Sequence, residues 1–168
     1  AARAAGRPCS LHGFTALHLA ALEGHEGCLR LCLEAGADVS VSDEDGDTPL
    51  SMACFHGHTS CAGLCLEAGA DVNQADNQGC TPLFGACQEG HIDGARLLLE
   101  AGASVDAAMG DGSTPLGVAC QDGHTDCARL CIEAGAKVDA ATLQGVTPLG
   151  MACLHGHTDC ARLCLEVG

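Results

Sequence analysis

The chain has 168 residues and a net charge of −15, with 22 acidic and only 7 basic side chains. This balance argues against a nucleic-acid-binding protein, because neutralising phosphates requires clustered Lys and Arg. No apolar run approaches the roughly 18 residues that a membrane-spanning helix needs. With three Phe and no Trp or Tyr, the core must be built from Leu, Ala, Val and Cys.

From the N-terminus, residues 1–11 are expected to form a flexible segment, and residues 12–168 an array of repeats. The phrase Thr-Pro-Leu recurs every 33 residues, beginning at Thr48, Thr81, Thr114 and Thr147, and an earlier copy reads Thr15-Ala16-Leu17. A fixed period of this length is typical of stacked repeats. The expected units are residues 12–44, 45–77, 78–110, 111–143 and an incomplete 144–168, which we interpret as part of a longer chain.

Each unit predicts two helices. Thr is a good N-cap and Pro suits the first helical turn. In the second unit, Leu50, Ala53 and Cys54 then form one helical face, and Gly57 ends the helix. A second helix begins near Thr59 and ends at a glycine, and the chain then turns at residues 77–79. Two short helices cannot bury their own apolar face, so stacking must complete the core. The fold class is therefore an all-α solenoid of about five helix-turn-helix units, with ten helices, linked by short β-turn hairpins.

The register also includes a Gly-His pair in every unit and a recurring Glu-Ala-Gly-Ala segment. With Thr15-Ala16-Leu17-His18-Leu19-Ala20-Ala21 and Ala35-Gly36-Ala37-Asp38-Val39, the chain resembles the ankyrin-repeat family. The resemblance implies protein binding through the concave helix face and the turn tips. The chain departs from the family at the His18 position, which reads Ser51, Phe84, Gly117 and Gly150 in later copies. We expect the inter-repeat hydrogen bond of that histidine to be lost there, and each of the two glycines to cost about 1 kcal/mol.

Twelve of the fourteen cysteines fall into three columns, exemplified by Cys54, Cys61 and Cys65. Other copies place Ala, Gly or Leu in these columns, which indicates core positions where a thiol acts as a small hydrophobic group. Cys61 and Cys65 lie one helical turn apart with similar directions, a poor disulfide geometry. We therefore predict buried free thiols and an intracellular protein, without distinguishing cytoplasm from nucleus.

Three copies contain Cys-x3-His-x2-Cys-x3-Cys. Its three cysteines and one histidine are a combination that binds zinc in other proteins. The three copies begin at Cys54, Cys120 and Cys153. The spacing is unusual for zinc, and the histidine persists as His25 and His91 where the cysteines do not. A hydrogen bond that fixes the turn between helices explains the histidine better. No metal and no cofactor are predicted, but a soft-metal-binding or redox-responsive protein stays open as an alternative.

No grouping of nucleophile, base and acid stands out, and the glycines mark helix ends rather than a phosphate loop. The chain is not expected to be an enzyme. The Arg column (Arg30, Arg96, Arg129 and Arg162) precedes a Glu by four residues in each copy. These residues are expected to form solvated helix ion pairs worth about 0.3 kcal/mol each.

Variation between copies indicates the binding surface. Positions opposite the buried face of the first helix, and the tips of the turns, differ from unit to unit while the framework persists. The candidate partner-binding residues on the helices are Met52, Phe55, His56, Phe84, Gln88, Val118, Gln121, Met151, Leu154 and His155. Those on the tips are Asp43, Asp45, Asp76, Asn77, Asp111 and Leu143. Met52 and Met151 fit packing against an adjacent repeat equally well.

A sharper expectation is that Phe55, Phe84 and Leu154 are more exposed than the leucines Leu50, Leu83 and Leu149. The sequence thus predicts a protein-binding module whose partner is neutral or basic. A structural spacer within a larger protein is the remaining alternative.

Overall fold

The computed structural model describes residues 13–167. These residues form ten helices and no β-strand. The helices are α1 (Ala16–Leu22), α2 (Glu26–Glu34), α3 (Pro49–Phe55), α4 (Thr59–Glu67), α5 (Pro82–Gln88), α6 (Ile92–Glu100), α7 (Pro115–Asp122), α8 (Thr125–Glu133), α9 (Pro148–His155) and α10 (Thr158–Val167). The predicted all-α repeat solenoid and its ten helices are confirmed. The expected flexible segment 1–11 lies outside the described residues.

Helix boundaries follow the cap residues. The threonine side chain that opens each first helix accepts a hydrogen bond from the backbone N–H three residues later, at 3.1–3.5 Å. This bond satisfies one of the N–H groups that the first turn leaves without a partner. Helices α3 and α7 end before Gly57 and Gly123, whose φ angles of 74° and 79° suit glycine and interrupt the helix.

The main packing contacts are between neighbouring helices and repeats. Two or three residues join the helices of a pair, which pack on each other, and each first helix also packs on the first helix of the next repeat. Each second helix likewise contacts the second helix of the next repeat. Leu17, Leu50, Leu83 and Leu116 are at most 1% exposed. Leu149, in α9, is only half-buried, because among residues 13–167 no later repeat covers it.

Each segment between repeats contains a tight turn, the tip, where the chain reverses direction without forming a β-strand. Two backbone hydrogen bonds close each tip, as from Asp43 N–H to the Asp47 carbonyl at 2.9 Å and from Gly46 N–H to the Asp43 carbonyl at 3.2 Å. Neighbouring tips are also joined: Asn77 N–H donates to the Asp45 carbonyl, and Leu143 N–H donates to the Asp111 carbonyl at 2.8 Å. The expected hairpins are therefore single turns, linked tip to tip along the stack.

His18 connects the first repeat to the second. Its Nδ1 accepts the Thr15 N–H at 3.1 Å, which leaves Nε2 to donate to the Asp47 carbonyl at 3.1 Å. Burial lowers the pKa of His18 and so favours the neutral ring that this pattern needs. Ser51, in the same column, bonds within its own repeat: its Oγ accepts the Thr48 N–H and donates to the Asp47 carboxylate.

The histidines of the Gly-His pairs also act between repeats. Their rings lie on the glycine of the preceding copy: a Cβ added to Gly24, Gly57, Gly90 or Gly123 would come within 2.4–2.7 Å of a ring atom. His58 Nε2 lies 3.0 Å from the Leu22 carbonyl of the first repeat. Four of these histidines (His25, His58, His91 and His124) occupy the N-cap of a second helix, yet none forms a side-chain cap bond. These histidines were predicted to fix the turn within their own repeat, but in the later copies their rings contact the preceding repeat instead.

Two arginines of the column form ion pairs in the opposite direction from the one predicted. Arg30 binds Glu26 at 2.8 Å rather than Glu34, and Arg162 lies 4.0 Å from Asp159 rather than near Glu166. Both acids lie N-terminal to the arginine, in the first turn of the second helix, where the helix dipole favours a carboxylate. These exposed pairs contribute little to stability.

Candidate functional site

Two clefts lie between the first helices and the tips. The N-terminal cleft has a volume of about 410 Å³ and spans the first three repeats. Its lining residues are Phe14, Leu22, Asp47, Ser51, Met52, Phe55, His56, Asp76, Gln78, Cys80, Thr81, Gly85, Gln88 and Met109. Both volume and mixed lining fall within the range of sites that bind side chains or small ligands.

The C-terminal cleft follows along the same side and has a volume of about 330 Å³. Its lining includes Phe84, Gln88, Met109, Asp111, Ser113, Val118, Gln121, Asp122, Val146 and Met151. Gln88 and Met109 line both clefts. The two clefts therefore follow one another along the stack and meet at the third repeat.

The structure brings together ten of the sixteen candidate residues. Met52, Phe55, His56, Asp76 and Gln88 line the N-terminal cleft, and Phe84, Val118, Gln121, Asp111 and Met151 line the other, together with Gln88. The other six lie outside both clefts: Asp43, Asp45, Asn77, Leu143, Leu154 and His155. Leu143 and Leu154 are nevertheless 79% and 74% exposed.

Three helix candidates are largely buried. Phe84 and Val118 are only 4% and 6% exposed, so the expectation that they point away from the core is wrong. Met52 is 7% exposed, which agrees with the packed alternative that the sequence left open for it. Each follows its N-cap threonine by three or four positions, where the first helices lie side by side beneath the tips. These side chains line the clefts but present little surface. Phe55 (37%) and Leu154 (74%) are exposed, as predicted.

One column that the sequence analysis missed lines the clefts in every copy. It is the residue immediately before the N-cap threonine: Phe14, Asp47, Cys80, Ser113 and Val146. A position that holds a different residue in each of five copies, beside an unchanging threonine, is itself a signal of a variable surface. Leu22 was also missed, although it shares the column of Phe55.

Charge is segregated around these clefts. Residues 13–167 contain five Lys or Arg side chains, of which four lie on second helices and none lines either cleft. Carboxylates do line them: Asp47 and Asp76 in the N-terminal cleft, and Asp111 and Asp122 in the other. Partial burial raises the pKa of Asp47, and the nearby carboxylates of Asp43, Asp76 and Asp45 add to that increase.

The Asp47 shift leads to a stability prediction. Because the pKa is higher in the folded than in the unfolded chain, the folded state loses stability as pH rises through the folded pKa. Asp47→Asn keeps an oxygen for the Ser51 bond and removes the charge, so we expect a gain of up to about 1 kcal/mol near pH 7. The gain should disappear below about pH 4, where Asp47 is protonated. Thermal unfolding at both pH values measures it.

Asp111→Asn is the matched control. A hydrogen bond from the Ser113 backbone N–H lowers the pKa of Asp111, so removing that charge should not stabilise the fold at neutral pH. Equal effects of the two substitutions would show that general charge repulsion, rather than the site of Asp47, is responsible.

The thirteen cysteines of the described residues are free thiols. Nine are buried, including Cys54, Cys61 and Cys65, as predicted for the three columns. Cys28 and Cys153 are exposed and Cys32 is half-buried, contrary to that prediction, because they lie in the outermost described repeats and lack one neighbour. Thiols also meet across repeats, with Cys87 Sγ 3.6 Å from Cys131 Sγ.

The Cys-x3-His-x2-Cys-x3-Cys segments do not assemble a ligand set. The rings of His58 and His157 lie on the preceding repeat, and within residues 13–167 no three His, Cys, Asp or Glu side chains are grouped to hold a metal ion. The soft-metal alternative has no support from this geometry.

Thiol reactivity should follow burial. Burial raises the pKa of Cys65 to about 12 and also raises the pKa of Cys54, and a high pKa keeps the reactive thiolate scarce. We expect a disulfide reagent to label Cys28 and Cys153 first, and the buried thiols only after denaturation. Mass spectrometry of labelled peptides at successive times measures the order. Uniform labelling of the native protein would contradict the packing described above.

None of the helices in residues 13–167 is long and apolar enough to cross a membrane. A search of curated proteins found no match. The family model for ankyrin repeats (3 copies) matches residues 17–109 and 105–168. That match covers most of the chain and agrees with the helix pairs, caps and tips described above. The chain therefore belongs to the ankyrin-repeat family.

Proposed function

We propose that this protein is a protein-binding module that holds its partner in the two clefts and at the neighbouring tips, without catalysis of its own. One observation carries the proposal: the columns that differ between copies line continuous clefts, while the unchanging columns form the caps and the core. Ankyrin repeats are generally protein-interaction modules, and this arrangement agrees with that role. The abundance of free thiols favours a reducing, intracellular setting.

A position-specific cross-linking experiment tests the proposal. A photo-reactive residue replaces Gln88, which lines both clefts, in the full chain inside the source cells. The matched control places the same residue at Arg129, which is exposed on α8. We expect discrete protein adducts from position 88 and none of the same size from position 129. Adducts only from position 129 would move the binding surface to the second helices.

Phe55 should contribute to affinity more than to stability. Its ring is 37% exposed in the N-terminal cleft, so Phe55→Ala should weaken partner capture while lowering the unfolding free energy by only about 1 kcal/mol. Phe84→Ala is the contrasting substitution, since its ring is 4% exposed and its loss should cost about 3–5 kcal/mol. Binding assays and denaturant titrations on both variants separate the two effects. Unfolding of Phe55→Ala to the same extent as Phe84→Ala would remove Phe55 from the binding surface.

A further inference from the structure

The floor of the N-terminal cleft is apolar, and its exposed aromatic ring packs on a glycine. Gly85 occupies the column that holds Leu19, Met52, Val118 and Met151 in the other copies. A Cβ at Gly85 would lie 3.3 Å from Cδ2 of Phe55, which is closer than most side-chain contacts. The Phe55 ring therefore packs closely on Gly85 and occupies the space that a side chain there would need. Because Phe55 is itself 37% exposed, it gives the cleft an apolar surface that a ligand can reach.

The rim of the same cleft is anionic. Asp47 and Asp76 both line it, and each already uses one carboxylate oxygen to accept hydrogen bonds from its own connecting segment or helix. These bonds hold both carboxylates in place. No Lys or Arg of residues 13–167 lines the cleft to compensate them. His56, which also lines it, is exposed and lies edge-on to Phe55.

An apolar floor beside fixed, uncompensated carboxylates complements one kind of side-chain pair. A cationic side chain gains charge-assisted hydrogen bonds at the rim, and a neighbouring apolar side chain gains burial on the floor. The C-terminal cleft suits this pair less well, because its one aromatic side chain, Phe84, is buried.

We propose that the N-terminal cleft binds a partner segment in which Arg or Lys is adjacent to a large apolar residue, with the cation at Asp47 and Asp76 and the apolar side chain on Phe55. This inference rests on the proposed function and specifies the chemistry of the partner. An anionic segment is disfavoured at this rim, and a purely apolar one leaves the carboxylates without a counter-charge.

Selection from a random-sequence peptide library against the full chain tests this pairing. We expect enrichment of Arg or Lys beside Leu, Met or Phe. Synthetic copies of the selected peptides should bind about fivefold more weakly to Asp47→Asn and to Asp76→Asn, and more weakly still at high salt. Asp126→Asn, an exposed change on α8, is the charge-matched control and should change affinity less than about twofold.

Asp47→Asn distinguishes recognition from structural damage, because this substitution is expected to stabilise the free protein while it lowers the affinity for the peptide. Selected peptides that lack a cation but lose binding in Phe55→Ala would overturn the inference and leave the proposed function standing. Failure to select any peptide, or peptides unaffected by all three cleft substitutions, would also overturn it. The cross-linking result at position 88 then decides the proposed function separately.

Discussion

Leu116→Ala is expected to lower the free energy of unfolding by about 2–5 kcal/mol, the cost of a cavity at a fully buried leucine. Leu116 is 0% exposed in α7, which packs on α8 and on the first helices of both neighbouring repeats. Because each repeat is stable only through its neighbours, damage here weakens two interfaces and should shift unfolding of the array. Urea titration followed by helical circular dichroism measures the loss.

Leu143→Ala is the matched control for this prediction. The same substitution at a tip side chain that is 79% exposed should change stability by less than about 0.5 kcal/mol. Similar losses for both variants would mean that the tip is buried in the protein as it exists in solution. A small loss for both would contradict the packing of α7.

Gly90→Ala should destabilise the fold by about 3 kcal/mol, for two additive reasons. Gly90 has a φ of 73°, which an alanine adopts only with strain. In addition, the new Cβ would lie 2.4 Å from Nδ1 of His124, so the ring of the next repeat must move. Gly102→Ala isolates the first effect, since its φ is 90° and its added Cβ meets nothing within 4 Å.

We expect Gly102→Ala to cost only about 1 kcal/mol. Combining Gly90→Ala with His124→Ala should recover part of the steric loss, because the smaller side chain no longer opposes the new methyl group. A double-mutant cycle measures that coupling. Strict additivity of the two substitutions would contradict the ring-on-glycine contact between repeats.

Most of the fold could be predicted because its signals are local. The threonine caps, the proline after them and the glycines at the helix ends act over one turn of chain, and the structure places them as predicted. Periodicity then identified the buried leucines. The direction of the Arg30 ion pair and the partner of each Gly-His ring were not predictable, since they depend on neighbours in space.

The candidate site was predicted only in part. Helical periodicity separates the two faces of an isolated helix, and it correctly placed Phe55 outside the core. Phe84 and Val118 lie on the same predicted face but are buried. The first helices and tips of neighbouring repeats cover part of that face, and the periodicity of a single helix does not include them. Asp47 was not among the predicted site residues, because its place in the cleft depends on residues of other repeats.

The sequence by itself determined the repeat length, the helix boundaries and the leucine core, since each depends on residues close together in one repeat. Only the tertiary structure decided which variable positions reach solvent and which carboxylates share a cleft. Those properties arise between repeats, where residues about 33 positions apart come together. Gly85 shows the difference: in sequence it is one more glycine, but in the stack it lets the Phe55 ring of the preceding repeat pack closely against it.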